Sequence, residues 1–371
     1  FSVLRHYIIH RTFRGKVGRM VFVLIMIILP ALASSHLMRD DRGGNHNVKI
    51  GLIQPNIDPY NEKYNGLNQE QQIDRVLKLS RTIADTTMDF LIAPETTIHD
   101  GLWEGELTSH PSIKKLYGFV DQYPRMSFIM GVDMRKKLRQ TQEIPPEARV
   151  NKKSGDVIMR YNAAIQLDSS GSIPVYYKSK LVNGIEKVPY PGVFQFLDNW
   201  LVDVGDEIGS LGTQESREVF VSPVNNVSVA PVICYESVFG AFVTAYVRQG
   251  AELIVVLTND GWFGQTQGYK QHLNFARLRA IETRRGVARC ANTGISALIN
   301  QNGELVKSTK WWEQTALKGT LTTNQKQTFY SRFGDYIGRI SAFLGIFALL
   351  YLVAKVLMQR SKYSEIMRLR Q

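Results

Sequence analysis

The sequence predicts an α/β domain of stacked sheet and helix layers, carried between two membrane-spanning helices. Short apolar runs alternate with helical patterns through the middle of the chain, as layered α/β folds require. A long apolar run lies on either side of that body, and the outer flank of each run is rich in Arg and Lys. At 371 residues, 44% hydrophobic and 21% charged, the composition is globular; it excludes a disordered tail, a collagen-like fibre and a small disulfide scaffold.

The first apolar run covers residues 20–37 (MVFVLIMIILPALASSHL) and the second residues 340–358 (ISAFLGIFALLYLVAKVLM). Each is close to the roughly 20 residues that cross ~30 Å of hydrocarbon. Pro30 is tolerated in a membrane helix, and Lys355 stands near the end of its run, where its stem can snorkel. A cleaved signal peptide is the other reading of the first run, but SSHLMRD lacks a small-x-small cleavage site. A buried core helix is the other reading of the second, against which no charge interrupts residues 340–354.

The formal net charge of +12 sits mostly outside the body. Arg5, Arg11, Arg14, Lys16 and Arg19 contribute +5 before the first span; Lys355, Arg360, Lys362, Arg368 and Arg370 against Glu365 contribute +4 after residue 352. Only +3 remains between them, with no basic surface interleaved with aromatics, so nucleic acid is not an expected partner. Positive flanks face the cytoplasm. The expected division is therefore a basic cytoplasmic segment and span over residues 1–45, an extracytoplasmic body over 46–330, and a span with a basic cytoplasmic tail over 331–371. The chain begins with Phe, and Arg-rich sequence before a span often joins a preceding helix, so a longer polytopic protein is expected.

Within the body, residues 48–57, 90–93, 127–132, 161–167, 227–234 and 253–258 read as strands. Residues 69–87, 112–122 and 272–285 read as helices, the last with Leu, Phe, Leu and Ile recurring on one face. Residues 286–307 read as two strands joined by the turn NQNG, which adds antiparallel strands to the sheet. Residues 96–111 and 183–216 fit no element; the second stretch holds Pro189, Pro191, Phe196 and Trp200. Their length suits lids, binding loops or surface excursions, and on a tethered body such loops are placed to dip into lipid.

Three side chains stand where chemistry is expected. Cys234, in VSVAPVICYESVFG, follows an apolar strand and precedes a helical pattern, so its thiol lies at the sheet's edge near backbone N–H groups that can receive an oxyanion. The alternative is an inert buried cysteine, the commoner fate of a lone one; Cys290 also lies in an apolar, strand-like run. A thiol needs a base, and histidine offers none with an evident orienting partner: His6, His10 and His36 flank the first span, His46, His99 and His110 lie in loop-like sequence, and His272 starts a helix. No Cys or His pair has zinc-ligand spacing. Glu95 follows the strand DFLIAP directly, where burial is expected to raise its pKa towards that of a useful base. Lys178 follows the apolar and aromatic run IPVYY. Base, cation and thiol each end a strand.

This set, Glu95 in LIAPE, Lys178 in YYKSKLV and Cys234 in ICYES, resembles the Glu-Lys-Cys triad of the nitrilase (carbon-nitrogen hydrolase) superfamily. KIGLIQPNI, LTNDGWFG, QHLNFARLRAIETRR and ANTGISALI extend the similarity over residues 48–310, and with the flanking spans the pattern is most similar to the apolipoprotein N-acyltransferase family of the bacterial inner membrane. The resemblance implies a nitrilase-like α-β-β-α sandwich flanked by transmembrane helices. It also implies a ping-pong reaction: Glu95 accepts the thiol proton, Cys234 attacks a phospholipid acyl donor to form a thioester, Lys178 and backbone N–H groups steady the oxyanion, and the amine of a diacylglyceryl apolipoprotein acceptor takes the acyl group.

The resemblance further implies that Glu186 is an additional carboxylate orienting the lysine or the acceptor, that Tyr235 and Glu236 shape the pocket beside the nucleophile, and that Trp262 and Phe263 line its wall. It involves no metal and no organic cofactor, and neither a dinucleotide fingerprint nor a P-loop is present. Two departures stand out. Where the family reads YxKxHLVPFGE this chain has YYKSKLVNGIE, with Lys180 in place of the histidine; and the family's tryptophan ahead of the domain is missing, the first here being Trp103. A membrane-tethered amidase that passes the acyl group to water is the alternative the same triad allows, and a catalytically dead scaffold is a remoter one.

Overall fold

The structure, a computed structural model, describes residues 14–39, 44, 46–64, 66–138, 145, 147–150, 154–187 and 210–368. The chain forms two compact units, residues 1–43 and 44–371. In the first, helix α1 (Arg14–Arg39) contains Pro30, and its stretch Val17–His36 is long and apolar enough to cross a membrane. Every described side chain of that stretch is exposed, as lipid-facing residues of a lone span would be.

The second unit is built on two sheets. The first has the order β14-β1-β2-β4-β6-β5, from strands β1 (Asn47–Gln54), β2 (Phe90–Ile92), β4 (Ser127–Leu138), β5 (Arg149–Val150), β6 (Val157–Leu167) and β14 (Thr315–Thr322). Strand β3 (Ile98–Trp103) also pairs with β4, and β7 (Val175–Tyr177) with β6. The second sheet has the order β13-β12-β11-β10-β9-β8, from β8 (Phe220–Val221), β9 (Ser228–Ile233), β10 (Leu253–Thr258), β11 (Gly286–Ala291), β12 (Ala297–Ile299) and β13 (Leu305–Ser308). Each sheet has three parallel strands at its centre, β1-β2-β4 in one and β9-β10-β11 in the other; the strands outside them are antiparallel except β3, which runs parallel to β4.

The period-two alternation of strand side chains decides the layers. In β1 and β2, Ile50, Leu52, Phe90 and Ile92 face the second sheet, where they share a core with Leu253, Val255 and Leu257 of β10. Their neighbours Ile53 and Leu91 point the other way, onto Ile73, Val76 and Leu77 of helix α2 (Gln69–Ile83) and Ile113 and Leu116 of helix α3 (Pro111–Val120). The second sheet is covered in turn by Phe242, Val243 and Tyr246 of α4 (Gly240–Arg248) and Leu273, Ala276 and Ala280 of α5 (Gly268–Thr283). Helix, sheet, sheet, helix is the order expected from the resemblance.

Local chemistry sets the helix limits. Helix α2 opens on a capping box, Asn68 with Gln71, and stops at Ile83 rather than residue 87. There Asp85 accepts from the backbone N–H and hydroxyl of Thr87, an Asx turn that competes with the helix. After the body, the short helix α6 (Phe329–Phe333) leads into α7 (Tyr336–Arg368), whose stretch Tyr336–Gln359 is also long and apolar enough to cross a membrane.

Two expectations about elements are corrected. Residues 286–307 form three strands, because Asn292–Ser296 breaks the run and binds other elements: Asn292 donates to Ile57 O at 2.7 Å, and Ser296 Oγ to Gln54 Oε1 at 2.7 Å. The NQNG turn joins the second and third of them, β12 and β13. Residues 96–111 are not an irregular loop; they contain β3, paired with β4 across a register shift, then a 3-10 turn Glu104–Ser109 and the start of α3. His99, Asp100 and Gly101 between the buried Ile98 and Leu102 hid that strand. Residues 188–209, with Pro189, Pro191, Phe196 and Trp200, lie outside the described residues, as do Arg5, Arg11 and Arg370.

Candidate active site

The C-terminal ends of the central parallel strands converge, and the sequence-derived residues meet there. Cys234 follows β9 and opens a 3-10 turn, Cys234–Val238, at φ 47°. A non-glycine residue in the left-handed region costs on the order of 1–3 kcal/mol, and such strain persists where the surroundings over-determine it. Glu95 lies three residues past β2. Its loop passes so close to β4 that a Cβ on Gly131 would stand 2.5 Å from Glu95 Cα and 2.7 Å from the Thr96 nitrogen, so only glycine fits there. Lys178 follows β7, its N–H bonded to Asn162 O at 2.8 Å.

The charged groups form one buried network. Lys178 Nζ donates to Glu95 Oε1 at 3.0 Å and to Glu186 Oε1 at 2.7 Å. Asn162 Nδ2 donates to the same two oxygens, at 2.7 and 3.0 Å, and Asn259 N donates to Glu95 Oε2 at 3.1 Å. Val182 N fixes the other oxygen of Glu186 at 2.8 Å. One ammonium therefore serves two carboxylates.

These contacts set the proton affinities. Burial pushes the Glu95 carboxyl up, but Lys178, Asn162 and Lys63 outweigh it, and the net direction is down. The expectation of a raised Glu95 pKa is thus corrected: its neighbours bring it down. Burial pulls the Lys178 ammonium down, yet Glu95 and Glu186 hold it well above the ordinary range. Burial and the Glu95 charge push the Cys234 thiol well up, against the pull of Lys178 and a hydrogen bond from Thr258. The resting arrangement is a neutral thiol beside an ionised Glu95 and a charged Lys178.

Glu236 is fully buried and accepts from Tyr176 Oη at 2.7 Å, Ser179 N at 2.6 Å and Ile233 N at 2.9 Å. It ties the end of β9 to the backbone just after Lys178, and burial, opposed by these donors, pushes its pKa up to about 7. Tyr235 is partly buried, edge-on to Phe239 at 5.1 Å. Trp262 and Phe263, 47% and 42% exposed, lie in the 3-10 turn after β10; Trp262 meets Tyr60 edge-on at 5.3 Å and Phe263 meets His272 at 6.0 Å. Lys180, at the departure from the family pattern, lies 5.8 Å from the rings of Phe239 and Phe242.

Sequence reading missed several participants. Asn162 bridges both carboxylates, and its signal was a polar residue inside the apolar run of β6. Lys63 is buried and bonded to Thr96 Oγ1; burial pulls its ammonium down against Asp133 and Glu95. His272 stands in the second turn of α5 and has an orienting partner, Asp260, 2.9 Å from Nδ1. That corrects its reading as an unpartnered helix start. Among the described residues no group of three His, Cys, Asp or Glu side chains is placed to hold a metal ion.

Known proteins resemble this chain in sequence and in fold. The family model described as carbon-nitrogen hydrolase matches residues 49–328. An apolipoprotein N-acyltransferase of Chlorobaculum tepidum is 31% identical over 95% of this chain and 66% of its own length, and that of Geobacter metallireducens is 27% identical over 90% of this chain and 60% of its own. The chain thus spans about two thirds or less of the curated relatives it matches. Among solved structures, a Saccharomyces cerevisiae member of branch 10 of the nitrilase superfamily aligns over 75% of this chain and 91% of its own, with TM-score 0.52 and 13% identity. An amidase of the same superfamily from Nesterenkonia sp. AN1 aligns over 80% of this chain and 97% of its own, with TM-score 0.51 and 15% identity. At such identities the likeness is one of fold.

Proposed function

We propose, from the premise that this chain belongs to the carbon-nitrogen hydrolase family, that it is a membrane-bound N-acyltransferase with Glu95, Lys178 and Cys234 as its catalytic residues. Glu95 accepts the proton as the Cys234 sulfur attacks the ester carbonyl of a phospholipid. The tetrahedral intermediate collapses to a thioester, and the proton on Glu95 leaves with the lysophospholipid hydroxyl. The α-amine of a diacylglyceryl-cysteine apolipoprotein then attacks the thioester, giving the amide and the free thiol, with Glu95 again passing the proton.

The observation that carries this reading is the buried Glu95–Lys178–Glu186 network beside Cys234. When Glu95 takes the thiol proton, negative charge moves onto sulfur and then onto the carbonyl oxygen, while Glu186 keeps Lys178 paired and charged to steady it. Two apolar helices support a lipid donor, and the names of the relatives support the acceptor. Within this reading Tyr235, Trp262 and Phe263 border the acyl site, and Glu236 positions the segment that carries Lys178.

The same reading divides the chain into residues 1–45, 46–330 and 331–371 as span, catalytic domain and span. It puts the domain on the periplasmic face of a bacterial inner membrane, with the basic flanks of both spans in the cytoplasm.

The test is intact-protein mass after incubation with phospholipid and no acceptor, on wild type and Cys234→Ala. A hydroxylamine-labile acyl adduct in wild type alone is expected. No adduct, with turnover of small amides instead, would replace acyl transfer by hydrolysis.

A further inference from the structure

We infer that Asp260 and His272 are positioning residues that hold the backbone of Cys234 in its left-handed turn, a role resting on Cys234 being the nucleophile as proposed above. A non-glycine residue at φ 47° needs handles on its backbone. The carbonyl of Cys234 supplies one. Ser237 Oγ donates to it at 2.8 Å, and His272 Nε2 lies 3.1 Å from it. A carbonyl and a carboxylate only accept, so the two contacts of the ring, Nε2 to Cys234 O and Nδ1 to Asp260 Oδ1, both call for an N–H, as an imidazolium provides.

The ring itself is held from behind. Nδ1 lies 2.9 Å from Asp260 Oδ1, while Arg289 donates to Asp260 Oδ2. Ser237, Asp260, His272 and Arg289 are all buried, so the imidazole has little freedom to turn. Ser237 Oγ lies 3.0 Å from Nε2, so Ser237, His272 and Asp260 follow one another in the order of a serine hydrolase triad, but an Nε2 that donates to the Cys234 carbonyl has no lone pair for the serine proton. It is no second nucleophile, because Ser237 is wholly buried and its hydroxyl is engaged on the Cys234 carbonyl.

The turn that carries Asp260 also reaches the base. Thr258 Oγ1 donates to Asp260 Oδ1 at 3.1 Å, Asn259 N bonds Glu95 Oε2, and Asp260 bonds the histidine. Asn259 and Asp260, consecutive after β10, therefore register base and nucleophile backbone against one another. Loss of the histidine contact releases one corner of that frame, and a misplacement of about 1 Å at a reacting group costs on the order of 100-fold in rate.

The test uses the full chain in phospholipid–detergent micelles, with His272→Ala and His272→Gln. Three quantities are read: the rate of acyl-adduct formation by intact mass, the rate of iodoacetamide alkylation at Cys234 located by peptide mass, and Tm. His272→Ala is expected to slow acylation about 100-fold and alkylation about 10-fold, with KM for phospholipid within about twofold. His272→Gln keeps a side-chain N–H for the carbonyl and is expected to recover about 10-fold of that loss at a similar Tm. Equal losses in both variants, or wild-type rates in folded His272→Ala, overturn the proposal. If wild type forms no acyl adduct while alkylation still separates the variants as expected, acyl transfer fails and the positioning role stands.

Discussion

Lys178 lies between two carboxylates, and in the proposed reaction only one of them, Glu95, takes up a proton. Once Glu95 is protonated, Glu186 is the anion left on the ammonium. Glu186→Gln is expected to lower kcat by roughly 10- to 100-fold with little change in KM, because the oxyanion contact matters only in the transition state. Steady-state kinetics checks it, and an unchanged kcat would remove Glu186 from the mechanism. Gly131→Ala is expected to destabilise by about 1–3 kcal/mol and to displace Glu95, since the added methyl meets backbone rather than a movable side chain. Thermal unfolding and acylation rate read the two effects separately.

Glu236 gives a prediction in pH. Its folded pKa of about 7 lies above the ordinary 4.5, so the folded protein holds a proton that the unfolded chain releases. Its contribution is fully present below about 4.5 and declines as pH rises to about 7, by up to ~3 kcal/mol. Tm should fall over that window more steeply in wild type than in Glu236→Gln; parallel curves would sink the assignment. At this scale much of the site was legible, since Glu95, Lys178 and Cys234 each end an apolar run. Lys63 and His272 were not, because their partners lie 33 and 12 residues away in sequence, and Asn162 showed only as a polar residue inside an apolar run.

Helix α6 shows how an element too short for helical periodicity can still set the geometry of the whole. Arg248 Nη1 donates to Ser331 O at 2.9 Å and Thr328 Oγ1 to Glu282 O at 2.6 Å, so α6 is fastened to α4 and α5. Its aromatics point outward: Phe329 is 60% and Phe333 49% exposed, with Phe333 and Tyr336 4.5 and 4.8 Å from Phe329. Beside an apolar span, such a cluster belongs at the headgroup level. In Phe333→Trp, the added emission over wild type should be quenched more by lipids brominated near the glycerol than near the chain end. The reverse order would put α6 elsewhere. Long elements with clean periodicity were legible; β3 and the β11–β12 break were not, because polar residues there answer to neighbouring strands.

For the whole molecule, the charge pattern makes a topological prediction. Ser172→Cys on the body should react with a membrane-impermeant maleimide in spheroplasts, and Ser361→Cys beyond the second span only after the membrane is opened. Labelling of both from outside would reverse the orientation. The site also depends on the two sheets together: Glu95 and Lys178 come from the first and Cys234 from the second. A chain with its sheets apart has the residues but no network around the thiol.

Strand β1 pairs along its length with β14, Asn47 opposite Thr322. During synthesis the first strand therefore waits for a partner about 275 residues downstream, which at ~5–20 residues per second is on the order of tens of seconds. For that interval the nascent body presents an open edge, and a ribosome stalled before residue 315 would leave it so. The same pairing makes the emergence of β14 the event that seals the first sheet, just before α7 enters the membrane.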